Sequence, residues 1–261
     1  MKNVNPFEGL LLDLEGVLYQ GDKIIDGAFE SINEIKKNNI KIRYLTNTTT
    51  TPRKLILNKL IKFGLPIQES DIFSPVIAAN NFLNEKKISR IFLLAEKNLI
   101  EDFKKIELDT KKPQAVIIGD IYKNFNWDIL NKTFQIISDN NSIIIALHKN
   151  KYCRRDEKIA LDLGPFVSAL EYATSSKAFV MGKPEKNFFD LAIKDMNLKY
   201  NKVLMIGDDI LSDIDGAKKN QIMSIQVKTG KYQKKDESSF YTQPDFRLNS
   251  IVDLPSFLGI T

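Results

Sequence analysis

Four short segments of the sequence gather polar residues at the ends of regular patterns. Asp13-Leu14-Glu15-Gly16-Val17-Leu18-Tyr19 follows the apolar run Leu10–Leu12, and Thr46-Asn47 follows the alternating stretch Lys41–Leu45. Gly182-Lys183-Pro184 stands ahead of a helical pattern, and Gly207-Asp208-Asp209 with Ser212-Asp213 follows Lys202–Ile206. Taken singly, each reads as a turn or a helix cap. Taken together, they hold the parts of a phosphoryl-transfer site. Asp13 is a carboxylate nucleophile. Asp13, Asp208 and Asp213 concentrate negative charge that calls for a hard cation, and oxygen-only ligands suit Mg²⁺. Thr46, Asn47 and Lys183 offer donors for the equatorial phosphoryl oxygens, and Lys183 adds positive charge as the transition state forms. The cation would keep Asp13 ionised and screen the approach of an anionic phosphate.

These segments need a scaffold that brings them together, and the patterning predicts one. Ala28, Ile32 and Ile35, with Phe29, mark one face of a helix that stops near Asn38-Asn39. Thr51-Pro52 predicts a helix start, with Thr as N-cap and Pro at the first helical position, and Ser74-Pro75 repeats the signal. Gly64 is a helix stop. Further strands are expected at Arg90–Leu94, Ala115–Ile118, Ile143–Leu147, Lys202–Ile206 and Met223–Val227, with helices such as Trp127–Ile137 and Glu185–Met196 between them. Trp127 reads as part of the packed face of its helix. Alternating strands and helices predict a parallel sheet covered on both faces. Such sheets place their sites at the C-terminal strand ends, where the four polar segments fall.

Size and composition narrow the function further. A chain of 261 residues allows one large α/β domain or two smaller ones, and 43% apolar residues suffice for a packed core. The single cysteine, Cys153, excludes an internal disulfide and points to a reducing, cytoplasmic setting. The sole histidine, His148, cannot build a His-based zinc site. The run Leu10–Leu12 is too short for a signal peptide, and no run approaches the ~20 apolar residues of a membrane span. A net charge of +5 comes mostly from lysines scattered among acids, which is the pattern of a solvated surface and not of a nucleic-acid groove.

The order of the four motifs resembles the haloacid dehalogenase superfamily of phosphatases over nearly the whole chain. The stretches Ala146-Leu147-His148-Lys149, Leu163-Gly164-Pro165-Phe166-Val167 and Ala169-Leu170-Glu171-Tyr172-Ala173-Thr174 are similar to its phospholysine phosphohistidine inorganic pyrophosphate phosphatase branch. So are Gly182-Lys183-Pro184-Glu185, Met205-Ile206-Gly207-Asp208-Asp209 and Val227-Lys228-Thr229-Gly230-Lys231. The resemblance implies a doubly wound, mainly parallel Rossmann-like core over residues 1–75 and 180–261. It also implies a smaller inserted α/β cap over residues 76–179. It implies a small phosphorylated substrate, with pyrophosphate and phospho-amino acids as the branch's expectation, no nucleic-acid or membrane partner, and a homodimer through the cap. Carried onto this chain, it makes Asp13 the nucleophile and gives Mg²⁺ to Asp13, Asp208 and the backbone carbonyl of Glu15. Asp209 and Asp213 would support the metal or its waters, with Asp213 orienting Lys183, and Thr46 and Asn47 would bind the phosphoryl group.

One position departs from the pattern. Most relatives carry a second Asp two residues after the nucleophile, as acid and base for the leaving group and the water. Here that residue is Glu15, whose extra methylene displaces the carboxyl by roughly an ångström, and a shift of that size can cost ~10²-fold in rate. Good leaving groups need the acid least, so a slow phosphatase biased toward pyrophosphate, aryl phosphates or phosphoramidates is expected. A near-inactive phosphate- and Mg²⁺-binding regulatory protein and a phosphotransferase are the alternatives. In the cap, His148, Lys149, Lys151, Tyr152, Arg154 and Arg155 form a basic loop that either faces an anionic substrate or is a solvated turn.

Overall fold

A computed structural model describes residues 6–155, 158–239 and 241–260 of the protein. The chain divides into two compact units, one of Met1–Thr46, Lys54–Phe73 and Lys183–Thr261, the other of Asn47–Arg53 and Ser74–Gly182.

The first unit is built on a six-stranded parallel sheet among the described residues. Its order is Phe246–Leu248, Met223–Val227, Val203–Gly207, Gly9–Asp13, Lys41–Leu45 and Ile72–Phe73. Gly9–Asp13 lies at the centre, and every one of its residues is buried. An unbroken apolar run is what a strand covered on both faces requires. Leu10 and Leu12 point into a cluster with Ile32, Ile35, Ile56, Leu60 and Leu254. The opposite face presents Gly9, where an added Cβ would come within 2.6 Å of Leu198 and 3.0 Å of Met196. Helix Lys186–Met196 covers that side and buries Phe188, Phe189, Ala192, Ile193 and Met196, a helical spacing. The chain winds from the central strand to Lys41–Leu45 and Ile72–Phe73 on one side. It later returns to fill Val203–Gly207 and its outer neighbours on the other. The winding reverses at Gly9–Asp13, so the crevice for a ligand opens where that strand and Val203–Gly207 end.

The second unit has its own five-stranded parallel sheet, ordered Phe179–Val180, Ile143–Ala146, Ala115–Ile118, Arg90–Leu94 and Glu107–Leu108. Val116, Ile118, Ile144 and Ala146 pack against Ile136, Ile137, Leu163, Val167 and Leu170 of two helices, Trp127–Asn140 and Leu163–Thr174. Asn126 caps the first of these by accepting from Ile129 N–H at 3.0 Å. Separately, Tyr152–Arg155 pairs antiparallel with Lys158–Leu161.

Several expectations need correction. Residues 47–53, which the sequence reading leaves in the core, group with the second unit. They are tied there by hydrogen bonds: Asp120 N–H donates to Thr49 Oγ1, Asn98 Nδ2 to Thr50 O and Arg53 N–H to Asp102 Oδ2. The helix expected from Thr51-Pro52 starts at Arg53, with Pro52 just outside it. Trp127 is 75% exposed, because the first position of its helix lies outside the packed stripe of Thr133, Ile136 and Ile137. Phe29 is 38% exposed, while Ala28, Ile32 and Ile35 of its helix are buried. The antiparallel pairing of Tyr152–Arg155 with Lys158–Leu161 departs from the loop that the basic residues suggest.

Candidate active site

The strand Gly9–Asp13 ends in its only charged residue, and Asp13 is buried. The chain then turns sharply. Leu18 N–H donates to Leu14 O at 2.9 Å and Gly16 N–H to Tyr19 O at 2.7 Å. A two-residue hairpin pairing Tyr19–Gln20 with Lys23–Ile24 completes the excursion. Register carries the neighbouring strand to the same edge, because Asp13 pairs with Leu45 and Thr46 follows at once, buried and donating its N–H to Phe73 O at 3.0 Å. On the other side, Val203–Gly207 delivers Asp208.

Asp209 then caps a π-helical turn, Ile210–Ile214, its Oδ1 accepting from Leu211 N–H at 2.9 Å and Ser212 N–H at 3.3 Å. The turn folds Asp213 back, and Asp213 Oδ2 accepts from Asp209 N–H at 3.2 Å. An added Cβ on Gly207 would meet the Asp213 side chain at 2.3 Å, so this return is possible only beside glycine.

Ligand oxygens of Asp13, Asp208 and Asp213 lie within 4.8 Å of one another, and all three residues are buried. Lys183, 2% exposed, sets its ammonium 2.5 Å from Asp13 Oδ1 and 2.6 Å from Asp213 Oδ1. Lys231 places a second ammonium 2.8 Å from Asp209 Oδ2, and its backbone N–H donates to Asp208 Oδ2 at 2.7 Å. Four carboxylates therefore face two ammonium groups.

Burial sets these charges against one another. Burial, then the charges of Asp13 and Asp213, raises the Asp208 carboxyl well above the carboxylate range. Burial pushes Asp213 up to about 7 despite the opposing pull of Lys183. For Lys183 itself burial acts downward, but Asp13 and Asp213 outweigh it and hold the ammonium above its ordinary value. Burial likewise opposes the charge on Lys231, and Asp209 and Asp208 more than offset it.

A divalent cation fits this arrangement. The donors are all oxygen, the negative charge is in excess, and Asp208 Oδ1 is buried with no hydrogen-bond partner among the described residues. Asp213 is turned to Lys183 and Asp209 N–H, which leaves Asp13 and Asp208 as the side chains best placed to hold the ion.

Other residues singled out by sequence stand as follows. Glu15 Oε1 accepts from Gly21 N–H at 2.7 Å, so its carboxylate caps the small hairpin. Partial burial raises the Glu15 pKa, with the Gly21 N–H acting against it. Asn47 groups with the second unit, in which an added Cβ on Gly182 would come within 2.7 Å of its Oδ1. In the basic loop, His148 is buried with Nε2 3.7 Å from Asp162 Oδ1, and Lys149 donates to Glu171 Oε2 at 2.5 Å. His148 Nδ1 accepts from Asn150 N–H at 3.3 Å and Lys149 is held by an acid of its own unit, while Lys151 and Tyr152 are exposed. The side chains of Arg154 and Arg155 lie outside the described residues. Sequence reasoning gave no role to Gly16, Thr229, Gly230 or Lys231, although a Thr-Gly-Lys turn directly behind a buried strand was a signal of the same kind as the other four segments.

A family model described as haloacid dehalogenase-like hydrolase matches residues 10–109, and a second, HAD-hydrolase-like, matches residues 180–254. The chain is 38% identical over 237 residues to haloacid dehalogenase-like hydrolase domain-containing protein 2 of Mus musculus, covering 91% of this chain and 90% of that protein. It is 35% identical over 253 residues to the phospholysine phosphohistidine inorganic pyrophosphate phosphatase of Xenopus laevis, covering 95% and 93%. The 4-nitrophenylphosphatase of Thermotoga maritima superposes with a TM-score of 0.89 at 25% identity, over 97% of this chain and 98% of that one. The chain belongs to the haloacid dehalogenase-like hydrolases and is an enzyme of their phosphatase type.

Proposed function

We propose that the enzyme hydrolyses small, activated phosphorylated compounds through a phospho-enzyme on Asp13, with Mg²⁺ held by Asp13, Asp208 and the Glu15 backbone carbonyl. The observation that carries this reading is the buried Lys183 ammonium bridging Asp13 and Asp213 at 2.5 and 2.6 Å. Lys183 holds Asp13 Oδ1, so Oδ2 is the oxygen that attacks. A bond forms from Oδ2 to phosphorus as the bond from phosphorus to the leaving oxygen or nitrogen breaks. Water then attacks the same phosphorus, and the Asp13 carboxylate leaves. Bound Mg²⁺ supplies positive charge that keeps Asp13 ionised and draws the anionic phosphate in. Thr46, Asn47 beside it in the chain, and Lys183 donate to the transferring phosphoryl oxygens. Asp213 keeps Lys183 charged and oriented, and Asp209 holds the turn that carries Asp213.

Glu15 takes the proton-transfer role. Its raised pKa suits an acid, but its carboxylate must leave or share the Gly21 N–H to reach a leaving group. That restraint favours substrates whose leaving groups depart without a proton, such as pyrophosphate, aryl phosphates and phosphoramidates. The name of the Xenopus relative supports the same class. The bond between Glu15 and Gly21 is also the observation that favours the second reading, a Mg²⁺- and phosphate-binding protein of negligible turnover.

Phosphate release from 4-nitrophenyl phosphate and pyrophosphate, with Mg²⁺ or with EDTA, tests the proposal. Release that requires Mg²⁺ and disappears in Asp13→Asn is expected. Release that survives in Asp13→Asn would remove the phospho-enzyme, and folded wild-type protein inert on both substrates would transfer the weight to the binding-protein reading.

A further inference from the structure

The turn Thr229–Lys231 behind the strand Met223–Val227 takes no part in the chemistry above, yet it touches two of its elements. Thr229 Oγ1 donates to Gly16 O at 2.5 Å. Lys231 N–H donates to Asp208 Oδ2 at 2.7 Å, and the other carboxylate oxygen of Asp208 is the buried, unpartnered one. Gly230 between them has φ +63°, and an added Cβ would lie 2.0 Å from Asp208 Oδ2 and 2.6 Å from Gly16 Cα. Gly16 has φ +88°, and its own Cβ would lie 2.1 Å from Asp208 Oδ2. Two glycines thus let two backbones close on one carboxylate, where any side chain would push it aside.

The peptides on both sides of Gly16 are pinned. Gly16 N–H donates to Tyr19 O, and Gly16 O accepts from Thr229. In a trans peptide the N–H and C=O point opposite ways, so fixing Gly16 N–H fixes the direction of the Glu15 carbonyl.

We infer that Thr229–Lys231 is a positioning strap for the cation site, with Thr229 as its positioning residue. The strap sets the Asp208 carboxylate and the Asp13–Gly16 loop in one geometry. The inference rests on the proposed reading of Asp13, Asp208 and the Glu15 carbonyl as ligands. Groups that orient metal ligands typically contribute 10–100-fold to affinity, which gives a hydroxyl at Thr229 a measurable effect without any contact to substrate.

The test is a calorimetric titration of Mg²⁺ into the full, substrate-free protein as wild type, Thr229→Val and Thr229→Ser, with melting curves in the presence and absence of Mg²⁺. Thr229→Val keeps the shape and removes the donor, and it is expected to weaken Mg²⁺ binding by about 10-fold or more. Thr229→Ser is expected to restore it. The Mg²⁺-induced rise in Tm should shrink in Thr229→Val. A merely structural hydroxyl would lower the two melting curves alike and leave the rise intact. Wild-type affinity in Thr229→Val, or equal loss in Thr229→Ser, overturns the strap alone. A wild-type protein that takes up no Mg²⁺ overturns the ligand reading and the strap with it.

Discussion

At the scale of single residues, the chemistry depends on which carboxylates are already committed. Asp213 is committed to Lys183 and to Asp209 N–H, Asp209 to its helical turn and Lys231, and Glu15 to Gly21. Asp13 has one oxygen on Lys183, and Asp208 has one on Lys231 N–H. Under the proposed mechanism, this division of partners gives acids so close in sequence different roles. It also makes Glu15 the residue most open to improvement. Shortening it removes the methylene that places its carboxyl too far along, and frees it from Gly21 N–H. Glu15→Asp is therefore expected to raise kcat on an alkyl phosphate by about 10-fold or more while changing pyrophosphate hydrolysis little. Steady-state kinetics on the two substrates checks this, and a variant no faster on any alkyl phosphate would show that residue 15 is not the limiting acid.

At the scale of elements, strand ends and helix starts do the positioning, and the second unit uses the same devices for stability. Glu171, on helix Leu163–Thr174, accepts from Ala178 N–H at 2.9 Å and from Lys149 Nζ at 2.5 Å. It thereby ties the chain after its own helix to the chain after the strand Ile143–Ala146. Burial raises the Glu171 pKa, but Lys149 and the Ala178 N–H outweigh it and leave the carboxyl below the usual range. A carboxyl depressed in the folded state contributes stability above its unfolded pKa and loses that contribution as pH falls through the folded value. Glu171→Gln is expected to reduce unfolding free energy by about 1–2 kcal/mol at pH 7, the scale of a charged hydrogen bond. The deficit should shrink as pH falls below about 4. Urea unfolding at pH 7 and at pH 3 tests it, and a deficit independent of pH would mean that shape and not charge holds the tie. The same bond explains why Lys149 is not a spare cation of the basic loop.

At the scale of the molecule, the clustered acids are a cost to folding that a cation would relieve. Asp13, Asp208 and Asp213 are buried within 4.8 Å of one another, and Asp208 and Asp213 are raised in pKa. A ligand that binds only the folded state stabilises by about 2.7 kcal/mol at a concentration 100 times its Kd. For a chain of this size, that corresponds to a Tm rise of roughly 5–10 °C. Saturating Mg²⁺ is expected to raise Tm on that scale, and EDTA to reverse it. Asp208→Asn should melt higher than wild type without Mg²⁺ and respond little to it. Calorimetric scans decide the matter: an Asp208→Asn protein that still gains the full Mg²⁺ response would place the ion elsewhere.

The fold class and the raw materials of the chemistry were legible in the order of residues alone. Period-two and unbroken apolar runs marked the inner strands of both sheets, the short outer strands Ile72–Phe73, Glu107–Leu108, Phe179–Val180 and Phe246–Leu248 carried too few residues for a pattern, and Ser74-Pro75 marked a helix start. Acids and donors stand behind the runs Leu10–Leu12, Lys41–Leu45 and Lys202–Ile206, where the sheet topology puts a site. Local pattern suffices there because the strand ends are set by apolar burial, which is written residue by residue. The rest depends on contacts between residues far apart in the chain. The Lys183 ammonium is shared between residues 13 and 213, Glu15 is turned to Gly21, Lys149 is taken by Glu171, and a Thr-Gly-Lys turn closes on Asp208 across the sheet end. None of these can be read from periodicity, because each is a choice among several acceptors that only packing resolves. Residues 47–53 belong to the second unit for the same reason: the groups that bind them, Asn98, Asp102 and Asp120, come dozens of positions later.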